Sequence, residues 1–188
     1  IGKERLSGFL TPSVRQGKDG LDLTFPYYFN LAPNRDLTLA PRYIEERGSG
    51  LSLSYRYLSK VNRGEISLSA LSRDRKFKQE TGGESTRWKG SWSQTSNINN
   101  KIFSEIKYED ASDEFYFRDI NDDLVGNSRK DYLQRDVNIW WNTPKVKLGL
   151  SLKESQSLNP FSVEGYKSIP VISLSTFRKR NDFLFVFS

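Results

Sequence analysis

Residues 145–153, "KVKLGLSLK", alternate polar and apolar side chains without a break. Val146, Leu148, Leu150 and Leu152 fall on one side of an extended chain, and Lys145, Lys147, Gly149, Ser151 and Lys153 fall on the other. Side chains of a strand repeat every two residues, so this stretch reads as a strand with one apolar and one wet face. The same period recurs upstream. Leu21, Leu23 and Phe25 alternate with Asp22 and Thr24; Leu51, Leu53, Tyr55 and Tyr57 with Ser52, Ser54 and Arg56; Ile66, Leu68 and Ala70 with Glu65, Ser67 and Ser69. Trp88 and Trp92 stand against Arg87, Lys89 and Ser91, and Val137, Ile139 and Trp141 against Asp136 and Asn138. No comparable stretch has helical spacing. With Leu6 to Val14 at the start and "DFLFVFS" at the end, the chain is expected to form roughly eleven strands of about 7 to 10 residues, a length that crosses a bilayer.

The connections sort by length. Short polar turns at 59–64, 94–100, 142–145 and 178–182 alternate with longer polar loops at 72–86, 109–132 and 154–167. Tight turns on one side and long loops on the other characterise an up-and-down outer-membrane barrel. The expected fold is therefore all-β, an antiparallel transmembrane β-barrel with its polar face inward. Trp88, Trp92, Trp140, Trp141 and tyrosines near strand ends would form interfacial girdles. A soluble β-sandwich shares the alternation and remains the rival, with the same rings in its core. An odd strand count would leave unpaired edges in lipid, where each unsatisfied backbone group costs several kcal/mol. Residues 1–188 are accordingly expected to be an N-terminal portion of a larger barrel. The opening on Ile and the charged "IGKERLSGFL", which lacks a signal h-region, agree with a piece of a longer chain.

Composition narrows the chemistry. The chain has no Cys and no His, so it offers no disulfide framework, no thiolate, no imidazole base and no usual zinc site. No apolar run is long enough for a spanning helix. At 36% apolar and 13% aromatic, the 188 residues contain too many rings for a disordered chain. The formal charge of +6 suits nucleic acid, anionic lipid or a phosphorylated glycolipid without choosing among them.

Specific motifs argue mostly against alternatives. The stretch "EDASDEFYFRDINDD" holds Glu109, Asp110, Asp113, Glu114, Asp119, Asp122 and Asp123, but not at calcium-loop spacing, and reads as a solvated acidic loop rather than a metal site. A glycosidase pair would need a pocket to raise one pKa, and a Ser-His pair cannot be built here. "STRWKGSW" (85–92) mixes cations and rings, yet at period two Arg87 and Lys89 point away from Trp88, which speaks against nucleic-acid binding.

Residues 26–43, "PYYFNLAPNRDLTLAPRY", pack three prolines beside four aromatic rings. Proline lacks a ladder donor and fixes φ, so Pro12 in the first strand and Pro26 at the end of the second weaken pairing or end a strand. Asn30, Pro33 and Asn34 suit a periplasmic turn, with Tyr27, Tyr28 and Phe29 as interface aromatics and a new strand from Asp36. Arg56, Lys145, Lys147 and Lys153 are expected to face the lumen, either as lipopolysaccharide contacts or as members of a generally wet wall.

These stretches resemble the lipopolysaccharide-assembly family LptD, also called organic solvent tolerance protein. The resemblance rests on "SGFLTPS" (7–13) and on residues 26–58, similar to the family pattern PYYxNxAPNxDxTxxPRYxxxRG. It takes in Gly8, Phe9, Tyr27, Tyr28, Asn30, Pro33, Asn34, Pro41, Arg42, Tyr43, Arg47 and Gly48. "STRW", "DEFYFRDINDD" and "YLQRDV" are similar to later strands of the family, and from about residue 145 the likeness is loose. It implies a Gram-negative outer-membrane translocon, with no catalytic residue, cofactor or metal. In the family a periplasmic jellyroll takes lipopolysaccharide from a periplasmic bridge protein, and a large barrel plugged by the lipoprotein LptE releases it sideways into membrane lipid. The resemblance implies that this chain supplies the first barrel strands, with gate-side strands at about 5–43 and Pro12 and Pro26 at the lateral gate. The jellyroll, the later strands and the cross-linking cysteines of the family are missing here. A freestanding porin or a lipid A-modifying barrel is the other rival.

Overall fold

The computed structural model describes residues 5–120, 132–158, 169–180 and 183–187. One antiparallel sheet contains thirteen strand segments. They are β1 (Gly8–Phe9), β2 (Ser13–Gly17), β3 (Gly20–Thr24), β4 (Tyr27–Ala32), β5 (Arg35–Ile44), β6 (Gly48–Leu58) and β7 (Asn62–Leu71). After these come β8 (Arg87–Ile98), β9 (Ile102–Ala111), β10 (Tyr132–Asn142), β11 (Val146–Ser157), β12 (Val171–Arg180) and β13 (Phe183–Phe187). Two short helices, α1 (Arg75–Thr81) and α2 (Tyr116–Asp119), lie in the connections.

β1 pairs with β4 and β2 with β3, while β3 and β4 both pair with β5. β1 and β2 are thus two halves of one passage across the sheet, and β3 and β4 two halves of the next. Thirteen segments make eleven passages, the number the periodicity predicts. From β5 onward each strand pairs with its neighbours in sequence, so the sheet meanders up and down. The sheet is not closed: among the described residues the first passage and β13 each have a partner on one side only.

Register aligns one face across the sheet. Leu39 opposes Leu53, which opposes Leu68; Tyr55 opposes Ile66, which opposes Trp92. Farther on, Ile106 opposes Val137 and Val137 opposes Leu152. The other face carries Thr38, Ser54 and Ser67, and Ser52, Ser69 and Lys89. Exposure is inverted relative to a water-soluble protein: Leu51, Leu68 and Ile172 are 47%, 44% and 72% exposed, whereas Ser52, Ser69 and Lys89 are 3%, 4% and 2%. A sandwich would pack its apolar face against a second sheet. The described residues form a single sheet, and its apolar face is the bare one. This is the wall of a partial up-and-down barrel. No helix among the described residues is long and apolar enough to cross a membrane.

The turns at 33–34, 59–61, 99–101 and 143–145 lie at one end of the sheet, and the longer connections lie at the other. From residue 59 onward short turns and long loops fall at opposite ends as the sequence predicts, whereas the tight turns at 18–19 and 45–47 share the loop end. A small core of Ile44, Leu71, Tyr116 and Ile120 fills the loop end, with Phe117 packed against it.

Several expectations are corrected. The turn predicted through Asn30 is confined to Pro33 and Asn34, because Tyr27–Ala32 pairs with β5 as a strand. Tyr28 is not an interface aromatic: it shares the inner face with Thr38, and its hydroxyl donates to Asp36 at 3.3 Å. Trp140 faces opposite to Trp141 and so leaves the girdle. Lys145 sits in the turn before β11, whereas Lys147 and Lys153 are at inner register positions. The 72–86 loop contains a helix the periodicity did not reveal. Asp74 caps α1 by accepting from Phe77 N, and Gly82 ends it in the left-handed region at φ 68°. The carboxylates of 109–119 are not a solvated loop, since Asp113 and Asp119 both bond Arg87; Asp122 and Asp123 lie outside the described residues.

Candidate functional site

The first feature is a proline-interrupted edge. Residues 10–12 break the first passage and residues 25–26 break the second. Residues opposite each other in an antiparallel ladder either exchange two N–H···O bonds or none. Leu10 N donates to Pro26 O at 2.9 Å, and Phe25 N donates to Pro41 O at 3.0 Å. Pro26 and Pro41 have no N–H to return, so each of these pairs keeps one bond of two. The pairing sum also slips by one residue, from Phe9↔Tyr27 to Ser13↔Thr24, which places a bulge at Thr11–Pro12. Pro12, Pro26 and Pro41 thus stand at one level across three adjacent passages. Pro26 is buried, whereas Pro12 and Pro41 are exposed.

Below the break, Asn30 fastens the start of the chain to the second passage. Its N–H donates to Ser7 Oγ at 2.8 Å and its side-chain amide to Arg5 O at 2.6 Å. Asn34 closes the neighbouring turn by donating to Leu58 O at 2.6 Å. The side chains of Phe9 and Tyr27 meet edge to face on the outer surface, with ring centroids 4.8 Å apart.

The second feature is the polar wall. Arg56 donates to both oxygens of Asp36 at 2.8 and 3.0 Å, and Glu65 accepts from Ser54 and Ser67. Arg56, Asp36 and Glu65 line a concavity of about 750 Å3 together with Arg5, Arg63 and Lys107. Such a surface presents charge and hydroxyls to water and to polar solutes. Among the described residues no group of three or more His, Cys, Asp or Glu could hold a metal ion.

A third feature, signalled by no local motif, ties the loop end together. Arg47 donates to Asp19 at 2.7 Å and to Asp74 at 2.8 Å. Arg87 donates to the same Asp74 oxygen at 2.9 Å, to both oxygens of Asp113 at 2.9 and 2.7 Å, and to Asp119 at 3.2 Å. Lys76 reaches Asp19 at 2.7 Å, and the Arg87 guanidinium stacks 3.9 Å from the centre of the Phe77 ring. Three cations and four carboxylates alternate, with Arg47 and Arg87 each 1% exposed. Gly48 gives Arg47 its place: at φ 132°, a Cβ there would stand 2.5 Å from Arg73 O. The sequence signal was partial. Alternation turns Arg87 inward, but nothing local announces which carboxylates meet it.

Burial alone would raise the Asp113 carboxyl, but the hydrogen bonds from Arg87 and Ser112 overcome it and hold the group below the ordinary 3.8. Asp19 is likewise held down, Lys76 and Arg47 outweighing its burial. A depressed folded pKa contributes stability above the unfolded value and loses it as pH falls through the folded one. The destabilisation caused by Asp113→Asn, measured as a difference in thermal midpoint, is therefore expected to be complete above about pH 5 and to shrink below about pH 4. A difference constant from neutrality to pH 3 contradicts this assignment.

The family model described as "LPS transport system D" matches residues 85–188. The LPS-assembly protein LptD of Pseudomonas syringae pv. syringae (strain B728a) is 32% identical over 177 residues, covering 93% of this chain. The chain belongs to the LptD family. The LptD of Pseudomonas putida (strain W619) gives the same identity over 176 residues. In both cases the chain spans 19% of the relative's own length. The LptD signature residues named from the sequence divide between two places in the fold. Gly8, Phe9, Pro26, Tyr27, Tyr28, Asn30, Pro33 and Asn34 cluster around the interrupted edge and its turn, while Arg42, Tyr43, Arg47 and Gly48 lie at the loop end of β5 and the start of β6. Arg42 donates to both Asp22 oxygens at 2.8 and 2.6 Å, joining β5 to β3. Lys147 and Lys153 stand at inner positions on β11, away from this cluster.

Proposed function

We propose that this chain is the gate-side, N-terminal part of an outer-membrane barrel that inserts lipopolysaccharide into the outer leaflet of a Gram-negative bacterium. It acts in transport rather than catalysis. The observation that carries this reading is the interrupted edge, where two adjacent ladder pairs each lack a bond beside a bulge. A net ladder bond contributes about 0.5–1.5 kcal/mol, so the missing one lowers by about that much the cost of separating the first passage from the second, and the other does the same between the second and the third. In the whole barrel the first passage meets the last strand, and this seam opens sideways toward lipid. The apolar outer face sits in the bilayer, and the short-turn end faces the periplasm.

The remaining four-fifths of an LptD protein supply the other partners under this reading. They are a periplasmic jellyroll that docks the lipopolysaccharide-bridge protein and the strands that enclose an LptE-type plug lipoprotein. Lipopolysaccharide phosphates meet the inner cations Arg56, Lys147 and Lys153, with Lys145 at the periplasmic turn.

Pro26→Ala in the full-length protein restores a ladder donor opposite Leu10. Surface lipopolysaccharide, measured by labelling intact cells, is expected to fall severalfold as the first passage is held more firmly to the second and moves less readily away from the seam. Unchanged delivery by a correctly assembled variant removes Pro26 from the gate. In the same assay Lys147→Gln with Lys153→Gln tests the inner cations, and unchanged delivery discards them as contacts.

A further inference from the structure

We propose that the hairpin formed by β2 and β3, residues 13–24, is a flap hinged at the prolines, and that Asp19 at its tip and Asp22 midway along β3 are positioning residues that latch it to the sheet. The inference rests on the gate reading above and adds the element that moves and what holds it.

The hairpin is joined to the rest of the sheet more sparsely than any full-length strand. β3 pairs with β5 through three residues, Asp22, Thr24 and Leu23, against ten residue pairs between β5 and β6. At its base the first passage slips register against the second, and the ladder to β5, though continuous in register, lacks the bond Pro41 cannot return. Its outer side, along β2, has no second strand beside it among the described residues. Side-chain ties to the sheet lie at the tip, through Asp19, and midway along β3, through Asp22. Asp22 accepts two bonds from Arg42, and Asp19 accepts from Arg47 and Lys76. Glu45 adds a backbone donor to Leu21 O at 2.9 Å and a carboxylate that accepts from Leu21 N at 2.8 Å. Gly20, at φ 79°, makes room for it, since a Cβ there would lie 2.5 Å from Glu45 Oε2.

A weak base and a charged tip are the layout of a latched flap. The latch does not end at the hairpin. Arg47, which holds Asp19, also holds Asp74 at the start of α1, and Asp74 shares Arg87 with Asp113 and Asp119 beside α2. Movement of the loop-end helices therefore acts on Asp19 through two buried guanidinium groups. This gives the long-loop end a physical connection to the seam, one that a ladder of uncharged backbone bonds would not supply.

Amide hydrogen exchange of the full-length protein in lipid nanodiscs tests the latch. Asp19→Asn combined with Asp22→Asn is expected to accelerate exchange across residues 13–24 by roughly tenfold or more, leaving residues 48–71 unchanged. Asp22→Glu, which keeps the charge, is expected to retain most of the protection. Unchanged exchange in 13–24, or equal acceleration in 48–71, overturns the latch. Lipopolysaccharide delivery measured on the same variants separates the two readings. Local loosening with unaltered delivery supports the latch and counts against the gate.

Discussion

Arg87→Ala is expected to destabilise the loop end by about 3–5 kcal/mol, the loss typical when one partner of a buried ion pair is removed. Arg87 is 1% exposed and holds three carboxylates at once: Asp74, which is fully buried, and Asp113 and Asp119 on the far connection. Without the guanidinium those charges remain in a dry site with only Arg47 left on Asp74. The cation stacked on Phe77 is lost as well. Arg87→Lys is expected to recover only part, because an ammonium is a compact point charge and cannot fork toward Asp113 while reaching Asp74. Denaturant unfolding of the full-length protein in detergent measures both variants. A loss below about 1 kcal/mol for Arg87→Ala would show that the carboxylates relax into water and that the network is not coupled.

The second large effect tests the outer face. Leu53 lies midway along β6, opposite Leu39 on one side and Leu68 on the other. Leu53→Arg places a charge near the middle of the apolar band and is expected to cost about 2–4 kcal/mol of folding free energy in a bilayer. Ser93→Arg, on the polar wall beside Glu65, is expected to cost far less. Folding of the two variants into lipid vesicles, followed by heat-modifiable gel mobility, gives the comparison. Equal tolerance at both positions would mean that Leu53 does not face lipid.

Period-two alternation made the strands, their number and their two faces legible, because in a sheet the side-chain direction is fixed by sequence parity alone. It carried Val146 to Leu152 and Leu51 to Tyr57 correctly to the outer face. It also placed Lys147 and Lys153 inside. Lys145 was misplaced because parity ceases to mean anything once the chain enters a turn. Tyr28 departs from its expected place for a related reason. Its neighbours Pro26 and Pro33 suggested one long turn, whereas the ladder to β5 holds Tyr27 to Ala32 extended between them. The helix α1 is seven residues long and buries one side chain, Phe77, too little to create a helical period.

The sequence by itself determined the all-β meander, the polar wall and the prolines that cannot donate, since each follows from local chemistry and spacing. Only the tertiary structure decided that Pro12, Pro26 and Pro41 fall at one level of three adjacent passages, which depends on register and on a single bulged residue. It alone also brought Asp19, Arg47, Asp74, Arg87 and Asp113 together from four separate connections and one strand end. Charge pairing follows no sequence rule, so which carboxylate meets which guanidinium is settled by where the backbone carries them.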